Sequence, residues 1–160
     1  MLNHLFLQKN IHMVIVLQRV RFASCEVDGK IVSEIGNGFL LLVGIAKEDD
    51  FNSSEKMIKK IVNLRIFEDE NNKMNKNIFQ VNGEILVISQ FTLTANTKNG
   101  NRPSFDSCME PQKAKEIFDD FIKKLKQHKI NVKEGVFGEH MIINIVNDGP
   151  VTFVLDSKQY

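Results

Sequence analysis

The sequence predicts an α+β fold with antiparallel sheets favoured. Three observations carry this reading. Apolar runs of strand length recur along the chain, separated by turn dipeptides such as Asp28-Gly29 and Asn82-Gly83. Two segments show the apolar spacing of a helix, around Met57–Val62 and Ala114–Leu125. Internal repeats, low-complexity tracts and linker composition are absent, so strands and helices belong to one unit.

In chain order, Met13 to Arg21 is a strand carrying Val14, Ile15, Val16 and Leu17. Cys25 to Ile35 reads as two short strands around Asp28-Gly29, and Gly36-Asn37-Gly38 as a further turn. Phe39 to Ala46 is apolar throughout, the pattern of a central strand. Asn52, Ser53 and Ser54 are N-cap candidates for a first helix whose buried face is Met57, Ile58, Ile61 and Val62. Arg65 to Glu68 is short and strand-like, and Asp69 to Lys76 is a polar loop. Asn82-Gly83 divides Ile78–Val81 from Glu84–Leu93 as a second hairpin. Residues 94–110 have no period and form a long loop, of a length that is usually either functional or disordered. Pro111 suits the first position of a second helix, with Ala114, Ile117, Phe118, Phe121, Ile122 and Leu125 on one face and Lys123, Lys124, Lys126 and Lys129 mostly off it. Val132–Val136, Met141–Val146 and Val151–Leu155 complete about eight strands, with Asn147-Asp148-Gly149-Pro150 as the turn before the last.

A chain of 160 residues is one domain by default and large enough for a core without staples. Residues 13–160 are read as that single domain, and residues 1–12, which lack its pattern, as an N-terminal extension. Lys plus Arg total 21 against 20 Asp plus Glu, so any RNA contact has to come from a local patch rather than bulk charge. The longest apolar run, Phe39–Val43, falls far short of the roughly 20 residues of a membrane helix. Cys25 and Cys108 are the only cysteines and have no CxxC spacing, which favours free thiols and an intracellular, cytoplasmic protein.

The common catalytic kits are missing. His4, His12, His128 and His140 have no metal-ligand spacing, and no nucleophile elbow, phosphate-binding loop or dinucleotide fingerprint occurs. Neither a metal nor a cofactor is expected. Two segments stand out. Ser89-Gln90-Phe91-Thr92 ends an apolar strand in polar residues, and Asn147-Asp148-Gly149-Pro150-Val151-Thr152 sets a Gly-Pro step between two strands. Taken alone, the first reads as a strand exit and the second as a turn.

Together these two segments resemble the D-aminoacyl-tRNA deacylases, the chiral proofreading enzymes of translation. Gln18-Arg19-Val20, Val43-Gly44-Ile45, Val62–Phe67, Lys98–Phe105 and Phe137-Gly138 are similar to further blocks of that family in the same order, from about Met13 to Asp156. Relatives with altered specificity differ at the Ser89–Thr92 stretch, so the chain resembles the chirality-checking branch. The resemblance implies a homodimer of compact β-barrel-like subunits, with antiparallel and mixed sheets and the two main helices packed outside. It implies a catalytic segment of Ser89, Gln90, Phe91 and Thr92, and a cis Gly149-Pro150 peptide that enters the other subunit's pocket. Arg19 matches the arginine that braces the Gly-Pro segment, and Phe137 and Met141 match residues near the terminal adenosine or the aminoacyl group.

The implied reaction is hydrolysis of the D-aminoacyl ester to free tRNA and D-amino acid, with the L-isomer rejected and glycyl-tRNA leaking through. Such a site has to hold the atoms shared by all D-amino acids and aim an L side chain at a wall, for which rigid backbone without a β-carbon at Gly149 is suited. Thr92 is a possible nucleophile, but no base lies near it in sequence, and the terminal ribose 2′-hydroxyl assisting water is the favoured alternative. Lys98 and Arg102 are candidates for phosphate contact, ahead of the helix lysines, which read as a solvated face. The competing class is a non-catalytic nucleic-acid-binding module; this sequence ends at Tyr160 without the basic extension of some relatives, which favours the enzyme.

Overall fold

The computed structural model describes residues 12–160, so the expected N-terminal extension lies outside the described residues except for His12. β1 (Val14–Val27) is one 14-residue strand rather than two, and it organises the sheet. Its first half, Val14–Val20, pairs antiparallel with β3 (Gly38–Gly44), and its second half, Ala23–Val27, pairs antiparallel with β2 (Lys30–Ile35) across the expected Asp28-Gly29 hairpin.

β6 (Glu84–Ser89) runs parallel to β3, and β7 (Asn131–Glu134) runs parallel to β6. The hairpin expected at Asn82-Gly83 is therefore not formed. Residues 78–82 are turns closed by the Gly83 N–H on the Ile78 carbonyl at 2.9 Å, and β6 departs into the main sheet. The reason is burial. β6 is apolar on both faces and is satisfied only in the middle of a covered sheet. Ile85 and Val87 enter one core, and Leu86 and Ile88 a second. Between α1 (Phe51–Asn63) and that point, β4 (Phe67–Glu68) and β5 (Met74–Lys76) form a separate ribbon within the expected polar loop.

β8 (Ile142–Asp156) is a single strand paired antiparallel with β1 along almost its whole length. The turn expected at Asn147–Pro150 is absent. β1 offers a continuous template, and the irregularity is absorbed as register shifts opposite Gln18–Phe22. The Gly149-Pro150 peptide is cis. Proline is tolerated here because among the described residues β8 pairs only with β1, leaving its outer edge without a partner.

The six-stranded sheet is thus mixed, with β2, β1, β3, β6 and β7 in order and β8 alongside β1. It curls until β2 approaches β6 and β7, where the Glu84 carboxylate accepts the Gly36 N–H at 2.8 Å and the Asn131 side-chain amide. Both helices pack on one face. Asp50, not the expected Asn52–Ser54, caps α1, its carboxylate accepting the Asn52 and Ser53 N–H groups. α2 (Pro111–Lys126) begins at Pro111 as expected, capped by Glu110. Phe39, Leu41, Ile85 and Val87 of the sheet meet Met57, Ile61, Phe118 and Phe121 of the helices in the main core. The smaller core inside the curl contains Val20, Cys25, Leu40 and Leu86. Both cysteines are free.

Candidate active site

The parallel register that buries β6 also sets Ser89 beside Val43, so two strands end together at one rim. The Gln90 N–H still reaches the Val43 carbonyl at 2.8 Å, after which the chain tightens into a 3-10 turn over Phe91–Thr94 instead of continuing as strand to Leu93. Glycine at 44 permits this. A β-carbon there would lie 2.8 Å from Leu93 Cβ and 3.0 Å from the Gln90 carbonyl oxygen. The turn is held from behind. The Thr94 hydroxyl donates to the Phe91 carbonyl at 2.9 Å, and the Ser107 hydroxyl donates to the Thr94 carbonyl at 2.5 Å. The Phe91 and Thr92 N–H groups, first in the turn, find no acceptor among the described residues.

In front of this turn lies a cavity of about 600 Å³, within the usual range of small-ligand sites. Of the residues singled out in the sequence it gathers Ser89, Gln90, Phe91 and Phe137. It adds Val43, Ile45, Phe105, Met109, Ala114 and Phe118, which the sequence did not assign to the site. Ala114 and Phe118 carried a signal, since their helical period marked an apolar face; that face packs on the core, and one turn of it also closes the cavity. Phe105 fell within the Lys98–Phe105 block of the resemblance, but neither it nor Met109 carried a periodic signal, because both lie in a loop.

Thr92 does not line the cavity. Its hydroxyl oxygen accepts from the Gln90 side-chain amide at 2.6 Å, and an amide N–H removes no proton. Met141 also lies outside the lining and packs on the inner core, where a β-carbon at Gly135 would come within 2.7 Å of its sulfur. Gly149 and Pro150 are exposed on β8 and are not part of the cavity of their own chain.

Arg19 connects Gly149-Pro150 to the body of the protein. It is 4% exposed; Nη1 donates to the Ile66 carbonyl at 2.7 Å and Nε to the Asp148 carbonyl at 3.1 Å. The Asp148 carboxylate lies between Arg19 and Arg21, at 3.5 and 3.4 Å. Lys98 and Arg102 are exposed on the loop closed by the Asn96–Ser104 bridge, and neither forms a salt bridge among the described residues. Two of the helix lysines differ: Lys124 is held by Glu55 and Asp120 at 3.0 and 2.8 Å, and Lys126 faces Glu134 at 3.5 Å.

The family model described as D-Tyr-tRNA(Tyr) deacylase matches residues 16–156, a span that includes Arg19, Ser89–Thr92 and Gly149-Pro150. The chain belongs to this family. A D-aminoacyl-tRNA deacylase of Persephonella marina is 53% identical over 146 residues, covering 91% of this chain and 99% of the relative. One from Thermodesulfovibrio yellowstonii is 51% identical over 146 residues, covering 91% and 100%. Among solved structures, a c-Myc DNA Unwinding Element Binding Protein superposes with a TM-score of 0.84 at 40% identity, covering 89% of this chain and 97% of that one. The deacylase family is a family of enzymes, and its α+β fold is the nearly closed mixed sheet with two helices described above.

Proposed function

We propose that the protein hydrolyses D-aminoacyl-tRNA, releasing free tRNA and D-amino acid. The observation that carries this reading is the placement of Ser89, Gln90 and Phe91 on the cavity wall, beside two free main-chain N–H groups at the start of a tight turn. Water adds to the ester carbonyl carbon, the N–H groups of Phe91 and Thr92 hold the developing oxyanion, and the bond to the ribose oxygen breaks as that oxygen takes up a proton. One such donor contributes roughly 3 kcal/mol in other enzymes. Thr92 is bonded to an amide rather than a base, which supports the terminal ribose 2′-hydroxyl as the group that assists water. Ser89 and Gln90 position the substrate. The apolar part of the cavity, with Phe137, Ala114 and Phe118, receives the terminal adenosine.

The chiral wall comes from a second copy of the chain. Among the described residues β8 presents an outer edge without a partner, with Ile142, Ile145, Val146 and Val154 exposed along it, as an edge that pairs with another chain would. In the homodimer the exposed Gly149-Pro150 of one subunit reaches the other's cavity, with Arg19 bracing it from behind. An L side chain meets that backbone, and a D side chain points away from it. Glycyl-tRNA has no side chain to be stopped and is also cleaved. Lys98 and Arg102 meet phosphates of the acceptor end. This work belongs in the cytoplasm, where translation supplies the substrate.

Single-turnover deacylation of D- and L-tyrosyl-tRNA tests the reading, with the D-isomer expected to be cleaved at least a hundredfold faster. Equal rates, or none, overturn it. A duplex DNA binding arm covers the activity in the name of the solved relative; tight DNA binding with no ester cleavage would favour a non-catalytic module.

A further inference from the structure

At the cavity mouth two aromatic rings stand together. Phe91 is 58% exposed and Phe105 47% exposed, yet their ring centroids are 5.2 Å apart at a tilt of 59°. Burial does not account for either ring, because both leave about half their surface in water. The cavity behind them is different, walled by Val43, Ile45, Met109 and Phe118, all nearly or fully buried.

Phe91 and Phe105 are exposed members of that lining, so a nucleic-acid chain whose last nucleoside sits inside has a route to solvent across them. Phe105 stands at the base of the loop that carries Lys98 and Arg102. The acidic groups on the same segment are both engaged: Asp106 accepts the Ser104 hydroxyl at 2.9 Å, and the Glu110 carboxylate caps α2. The mouth therefore offers exposed aromatic faces followed by unpaired cations, the combination that binds single-stranded nucleic acid by stacking its bases and tracking its phosphates.

We propose that the Phe91–Phe105 pair is a stacking platform for the base immediately 5′ to the terminal adenosine, with Phe105 supplying the open face and Lys98 and Arg102 meeting the phosphates beyond it. This inference rests on the deacylase reading for the identity of its ligand. It makes Phe105 a binding residue for the second nucleotide rather than for the reacting one.

The test compares D-tyrosyl-tRNA with D-tyrosyl-adenosine, which lacks the second nucleotide, for the wild type and Phe105→Leu. The preference in kcat/KM for the tRNA over the adenosine ester is expected to fall about tenfold or more in the variant, the usual size of one lost base–aromatic stack. Phe105→Tyr, which keeps an aromatic face, should restore it. A second arm reads the stack without catalysis: tRNA carrying 2-aminopurine in place of the penultimate base should be quenched on binding the wild type and not on binding Phe105→Leu. Equal losses on both esters would place Phe105 against the terminal adenosine and overturn the proposal, as would an unchanged preference. Absence of ester cleavage by the wild type would count against the deacylase reading, while quenching would still decide whether the platform binds a base.

Discussion

The Nε–H of Arg19 donates to the main-chain carbonyl of Asp148 at 3.1 Å, immediately before Gly149. The same guanidinium donates to the Ile66 carbonyl at 2.7 Å, so one buried side chain ties β8 to the segment entering β4. Arg19→Met would leave two acceptors without their donor and is expected to cost about 3 kcal/mol of stability. Arg19→Lys should recover only part, because a point ammonium cannot reproduce the guanidinium fork. Urea unfolding measures the loss, and the D-to-L deacylation ratio should fall in both variants. A full-stability methionine variant would mean that the buried arginine holds nothing together.

Gly149 has φ of +129°, and a β-carbon there would lie 2.7 Å from Val151 Cγ2 and 3.4 Å from Arg19 Nη2. Gly149→Ala is therefore expected to cost roughly 1–3 kcal/mol in backbone strain, and to displace Val151 or the Arg19 brace. Thermal unfolding should show the loss. Deacylation of D-aminoacyl-tRNA should slow at least tenfold under conditions where the variant remains folded; wild-type stability together with wild-type rate would contradict both expectations.

For Thr92 the expectation is retention. Its hydroxyl accepts from Gln90 at 2.6 Å and does not line the cavity, so Thr92→Ala should keep single-turnover deacylation within about tenfold of the wild type. tRNA ending in 2′-deoxyadenosine should be cleaved far more slowly by both proteins. A loss of several orders of magnitude in the alanine variant, with the fold intact by circular dichroism, would return Thr92 to the role of nucleophile.

Association is expected through β8. Val146 is 50% exposed and Val154 65% exposed on a strand whose outer edge has no partner among the described residues. Sedimentation should give a dimer at micromolar concentration, and Val146→Glu should shift it toward monomer by placing like charges across a two-fold contact. An active monomer would remove the shared cavity from the mechanism.

Asp49 supplies a pH signature. It is 3% exposed, and burial raises its carboxyl pKa above the ordinary aspartate value, partly offset by the Ala46 N–H it accepts at 2.7 Å. A carboxyl raised in the folded state keeps its proton where the unfolded chain has lost it. Stability from this group is therefore present at low pH and is lost as pH rises through the raised value. Relative to Asp49→Asn, wild-type stability should decline as pH rises from acid toward neutrality. Urea titrations across pH 4 to 7 measure the difference, and a rising trend would refute the assignment.

What the sequence determined by itself was local. The period of Ala114–Leu125, the proline at the start of α2, the Asp28-Gly29 hairpin and the polar exit at Ser89 depend on neighbouring residues, and each occurs in the structure. The family resemblance could likewise be read from short blocks in order. Pairing was decided by the tertiary structure. Asn82-Gly83 has hairpin chemistry, yet β6 binds β3 and β7 in parallel because its two apolar faces need two cores. Asn147–Pro150 has turn chemistry, yet the strand continues past it because β1 pairs with β8 on both sides, Val20 with Asn147 and Gln18 with Thr152, leaving Asp148–Val151 as a bulge opposite Arg19. The cavity follows the same rule. Phe105, Met109 and Phe118 come from a loop and a helix face distant in sequence from Ser89, and only the closing of the sheet against α2 gives them one shared surface.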